Sequence, residues 1–125
     1  TDLGLNPRDE DYGIYLNWLH RSDATLTFPQ TLVLRYTRLE PEERRIPQVA
    51  EDYQRWFLSR LRCVEETLSD RKYLCAGRFT IADVCIGYAL VLAESLGLSA
   101  SFKPNTERYY SMLKERPAFK RAAGL

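Results

Sequence analysis

Arg78-Phe79-Thr80-Ile81-Ala82-Asp83, with the apolar run that follows it to Leu96, decides how this chain folds. A threonine placed three residues before an aspartate at the head of such a run is the pattern of a capping box. The Thr80 hydroxyl can accept from the Asp83 N–H, and the Asp83 carboxylate can accept from the Thr80 N–H; aspartate stands where glutamate or glutamine is usual. Phe79 and Val84 are spaced to close over the box as a hydrophobic staple. Both Thr80 and Asp83 are therefore read as structural. Behind the cap, Ile81, Ala82, Val84, Cys85, Ile86, Ala89, Leu90, Val91, Leu92 and Ala93 put apolar groups on nearly every side of the helix. A helix with no polar face belongs at the centre of a helical domain.

Working back toward the N-terminus, Val49, Tyr53, Trp56, Phe57, Leu61, Val64 and Leu68 hold one face of a helix predicted from Pro47 to about Leu68, while Glu51, Asp52, Arg55, Arg62 and Glu66 hold the other. Before it, Tyr12, Tyr15, Leu16, Leu19 and Leu26 recur at helical steps from Arg8 to about Leu26, with Pro7 placed to open the helix. Pro29 removes a backbone donor inside the continuing pattern of Leu32, Val33, Tyr36 and Leu39, so this helix should kink or break there and resume to about Arg38. The charged run Glu40-Pro41-Glu42-Glu43-Arg44-Arg45 reads as a solvated connection with no function. After the central helix, Gly97 ends one element, Asn105–Glu115 forms another, and Pro117 starts a last short helix ending near Gly124. No segment has the alternation of a strand. The expectation is an all-α bundle of five or six helices around a buried central one, with residues 1–125 forming a single domain.

Composition narrows the function classes. In 125 residues, 18 Lys and Arg stand against 17 Asp and Glu with no basic stripe, so neither nucleic acid nor an anionic membrane surface is an expected partner. Cys63, Cys75 and Cys85 form no CxxC, and His20 is the sole histidine, which argues against a metal site. An odd number of thiols fits a reducing, cytoplasmic setting better than a disulfide framework. Thr1-Asp2-Leu3-Gly4 has neither the charged nor the apolar part of a signal peptide, and the missing initiator methionine fits a processed or partial chain.

Few residues offer chemistry. His20 sits among polar neighbours, as a surface histidine does, and none of the three cysteines is paired in sequence with a base. Glu65-Glu66 and Asp9-Glu10-Asp11 are explained by helix faces and helix starts. Tyrosine, with eight copies, is more suggestive, because a phenol joins an apolar body to a polar tip and suits the wall of an organic-ligand pocket as well as a core. Phe28, Leu32 and Tyr36, at four-residue spacing across Pro29, form a stripe that fits a cleft and a core equally well.

Taken together, the Arg78–Asp83 segment, Tyr15-Leu16-Asn17-Trp18-Leu19, the interrupted first helix and Arg116-Pro117-Ala118-Phe119 resemble the C-terminal domain of cytosolic glutathione transferases, in their bacterial form, over almost the whole chain. The resemblance implies a separate N-terminal thioredoxin-like domain that binds the cosubstrate glutathione and supplies the thiol-activating residue, so no catalytic residue is expected in this chain. The share it implies for the helical domain is a wall for a small hydrophobic electrophile, contacts of a homodimer, and in some members an acidic residue that reaches the partner subunit's glutathione. The matching positions are Phe28, Leu32 and Tyr36 for the wall and Asp23 for the acidic residue. Thr27 stands where one bacterial class has a histidine. The competing reading is a noncatalytic transferase-like assembly module. A ligand-sensing domain of a transcription regulator is disfavoured, since no helix-turn-helix or basic charge accompanies the helices.

Overall fold

The fold is known from a computed structural model, which describes residues 2–124. Among the described residues there are six α-helices: α1 (Tyr12–Arg21), α2 (Phe28–Leu34), α3 (Pro47–Thr67), α4 (Ile81–Ser95), α5 (Pro104–Lys114) and α6 (Pro117–Ala123). No strand occurs among the described residues. The first two helices are one rod, because the Ser22–Thr27 segment between them stays helical with π geometry, and a second π segment, Arg35–Leu39, extends the rod beyond α2. Pro29 explains the form of the break. In a regular α-helix its ring would collide with the carbonyl four residues back, and its missing N–H would orphan an acceptor. The wider π turn shifts the register instead, so that the Phe28 N–H donates to the Asp23 carbonyl five residues back.

The rod begins at Tyr12 rather than near Arg8. Pro7 lies in a turn that Asn6 and Asp9 close, with the Asn6 N–H donating to the Asp9 carboxylate at 2.7 Å and the Arg8 N–H to the Asn6 side chain at 3.1 Å. Asparagine and aspartate hold such turns against helix extension.

Helix α3 packs along α2 and both π segments, while α4 packs on α1, the first π segment and α5. Fully buried Leu26, Phe57, Val64, Leu68, Leu74, Ile86, Leu90 and Tyr109 join these elements in one core. Gly87 marks a close approach of α4 and α5: a Cβ there would stand 3.2 Å from Leu113 Cδ1. The buried Gln30 side chain ties the proline break to the centre, its Nε2 donating to Leu26 O at 2.9 Å and Ala89 O at 3.0 Å.

Two features of the helix caps are set by residues distant in sequence. Helix α5 has no capping side chain of its own at Lys103; Glu65, in the last turns of α3, supplies one by accepting from the N–H groups of Asn105 (3.1 Å) and Thr106 (2.8 Å) and from the Thr106 hydroxyl (2.9 Å). In return Arg108 Nη2 donates to Leu68 O at 2.7 Å, where α3 ends. An acid at one helix start and a base at the other helix end both oppose the local partial charge, so the two helices clasp each other.

Candidate functional site

At the head of α4 the capping box forms as the sequence predicts, with reciprocal Thr80 and Asp83 contacts and the Thr80 N–H 2.9 Å from Asp83 Oδ2. Asp83 does more than close the cap. Its other oxygen accepts from the Leu74 N–H at 3.2 Å and the Tyr109 hydroxyl at 2.8 Å, so one fully buried carboxylate joins α4, the 68–80 connection and α5. Burial pushes its pKa above the ordinary aspartate value, although the hydrogen bonds from Thr80, Tyr109 and Leu74 pull the other way. Burial beside Asp83 likewise raises the Tyr109 phenol. Phe79 stands edge-on to Tyr73 with centroids 6.2 Å apart and beneath the Arg116 guanidinium at 3.6 Å, while Val84 is 49% exposed. The two segments that carry the family resemblance, around Phe79 and around Arg116, thus touch each other.

One face of α4 is open. Ile81, Val84, Tyr88 and Val91 are all exposed, at helical spacing, on a helix whose opposite face is the centre of the core. Residues 2–4 lie at the same end, since the Ile81 N–H donates to Leu3 O at 2.9 Å and Arg78 holds the carbonyls of Asp2 and Gly4. The sequence could not mark this face, because apolar residues all round leave no periodicity to read.

Phe28, Leu32 and Tyr36 lie along α2 and the second π segment. Phe28 is 56% exposed, and Leu32 and Tyr36 are half-buried, so none is sealed in the core. Asp23 is exposed on the first π segment. Tyr36 lines a cleft of about 280 Å³ with Arg35, Glu40, Glu43, Arg44, Arg45 and Ile46. The charged run is therefore part of a built feature: Glu40 ion-pairs Arg35 at 2.8 Å and Arg44 at 3.3 Å, and Arg45 Nε donates to Glu40 O at 2.9 Å. No local spacing marked Arg45 for this cleft, because its run reads in sequence as a solvated connection.

Other candidates are not assembled into a site. His20 is exposed, Cys75 is buried with its thiol pKa raised by burial, and no group of three His, Cys, Asp or Glu among the described residues could hold a metal ion.

The family model described as the glutathione S-transferase C-terminal domain matches residues 33–117. The chain belongs to that family. In structure, this transferase C-terminal domain superimposes on the Ure2p5 protein of Phanerochaete chrysosporium, cocrystallised with 1-(S-glutathionyl)-2,4-dinitrobenzene, at a TM-score of 0.87 and 25% identity, covering 98% of this chain and 59% of that one. The glutathione transferase Ure2p8 of the same fungus, with oxidized glutathione, gives 0.85 at 21% identity, over 99% of this chain and 56% of that one. A possible glutathione S-transferase from the bacterium Rhodopseudomonas palustris gives 0.79 at 20%, over 95% and 54%. No curated protein matches the sequence significantly. The transferase domain thus spans somewhat more than half the length of the solved proteins it resembles.

Proposed function

We propose that this domain is the electrophile-binding half of a cytoplasmic, homodimeric glutathione transferase that conjugates glutathione to small hydrophobic electrophiles. The observation that carries the reading is the open apolar face of α4. An exposed stripe of Ile, Val and Tyr on the otherwise central helix is a surface on which another domain would bury itself. A thioredoxin-like domain seated there supplies the glutathione site and the residue that activates the thiol. Conjugation needs a thiolate near neutral pH and an apolar surface that holds the electrophile beside it. This chain serves the second need through Phe28, Leu32 and Tyr36, none of which the core conceals. Asp23, exposed on the first π segment, is the acid proposed to meet a positive group of the partner subunit's glutathione. The outer side of α3, where half-exposed Trp56 stacks on Tyr53 at 5.6 Å, is the surface offered to the second subunit. The proposed chemistry uses no metal. No described helix is long and apolar enough to cross a membrane.

The test is conjugation of glutathione to 1-chloro-2,4-dinitrobenzene, followed by absorbance, alongside circular dichroism. The 125-residue chain should show strong helix and no turnover above the uncatalysed rate, and activity should return in a protein that joins it to its glutathione-binding half. Turnover by the isolated chain would overturn the division of labour; a joined protein that binds glutathione but never conjugates it would favour the assembly module. In the joined protein, Tyr36→Phe removes one hydroxyl and keeps the ring, so it should alter the ranking of electrophiles by kcat/KM while leaving the KM for glutathione nearly unchanged.

A further inference from the structure

The cleft under Tyr36 has more charge than an apolar wall requires. Glu40 is committed within it, one carboxylate oxygen to Arg35 and the other to Arg44, with its side chain only 12% exposed. Among the described residues Arg45 pairs with no carboxylate; its contacts are the Glu40 carbonyl at 2.9 Å and the Arg38 carbonyl at 3.5 Å. Those carbonyls lie at the end of the second π segment, so Arg45 also serves as a cap there, and the contacts fix its fork in place on the cleft's lining. Three guanidinium groups and two carboxylates line the cleft, leaving a charge of +1 beside the Tyr36 ring and half-exposed Ile46. Positive charge next to an aromatic ring and a branched aliphatic side chain suits a ligand with an apolar or aromatic body and one carboxylate.

We infer that the acceptor bound at Tyr36 is an organic electrophile that carries a carboxylate, its ring on Tyr36 and Ile46 and its anionic group on Arg45. This rests on the reading of Tyr36 as part of the electrophile wall. A neutral electrophile uses the ring and leaves the Arg45 charge to water, whereas a carboxylated one replaces that water with a positioned charge-assisted hydrogen bond.

The experiment titrates the ¹⁵N-labelled chain with 3-nitrobenzoate and with its methyl ester, following amide shifts. The carboxylate should shift Tyr36, Arg45 and Ile46 and bind about fivefold more tightly than the ester. Arg45→Gln should abolish that preference, and Arg45→Lys should keep part of it. Glu43→Gln, which removes a carboxylate from the lining, should tighten carboxylate binding about twofold, a gain that misfolding cannot mimic. Shifts confined to other regions, or a preference that survives Arg45→Gln, would overturn the inference. Equal binding of acid and ester at Tyr36 would overturn the charge preference and leave the electrophile wall standing. Carboxylate binding at Arg45 in a joined enzyme whose electrophile ranking ignores Tyr36→Phe would instead overturn the assignment of this cleft to the acceptor.

Discussion

Asp83→Ala is expected to lower the unfolding free energy by about 3–5 kcal/mol, a large share of what a domain of this size possesses. The substitution strips four buried donors of their acceptor at once: the N–H groups of Thr80 and Leu74 and the hydroxyls of Tyr109 and Thr80. Thr80→Ala removes only its own side of the cap and should cost about 1 kcal/mol. Urea denaturation of both variants measures the difference. Equal losses would show that the carboxylate is a cap and nothing more. The pH dependence adds a second check. Because burial raises the folded-state pKa of Asp83, the folded protein holds that proton more tightly than the unfolded chain. The stability from this linkage is fully present below the unfolded pKa of about 3.9 and is lost as pH rises through the higher folded value. Asp83→Asn should remove that component from the acid side of the stability profile.

Glu65→Ala is expected to cost about 2 kcal/mol, since it strips two backbone N–H groups and one hydroxyl at the start of α5 of their acceptor. Its pH signature has the opposite sign. Burial pushes the Glu65 pKa up, but the hydrogen bonds from Thr106 and Asn105 outweigh it and hold the group below the ordinary glutamate value. Its contribution is therefore present above about pH 4.3 and lost as pH falls through the lower folded value. Thermal melts of wild type and variant should differ most near neutrality and converge in acid. A constant difference down to the lowest pH would show that Glu65 acts by packing and not by its charge.

The contrast between these two carboxylates shows what a reader of the sequence could and could not see. The Thr80–Asp83 box is legible because both partners lie within one turn, and local spacing is what a sequence displays directly. The Glu65 cap is not legible, because its acceptor and donors are 40 and 41 positions apart and only the packing of α3 on α5 brings them together. Pro29 announced a break, yet its π form depended on which carbonyl the Phe28 N–H could still reach. Of the residues proposed for the site, Phe28, Leu32 and Tyr36 showed in sequence as a stripe that fits a cleft and a core equally, whereas Arg45 was hidden in a charged run whose usual role is to face water. Its place in a cleft follows from the way the chain turns between the second π segment and α3.

The Ser22–Thr27 segment also bears on how this helix tolerates change in length. A π turn holds about one residue more than an α turn, so Ser22–Thr27 contains a spare position in the rod. Deleting a single residue elsewhere in the rod would rotate everything after it by about 100° and turn Leu32 and Tyr36 away from their present faces. The same deletion inside Ser22–Thr27 could be absorbed by tightening the turn, keeping the downstream faces aligned while pressing the Pro29 ring back toward the carbonyl it now avoids. The segment that accommodates proline is thus also the place where insertions and deletions can enter this helix without erasing the surface beyond it.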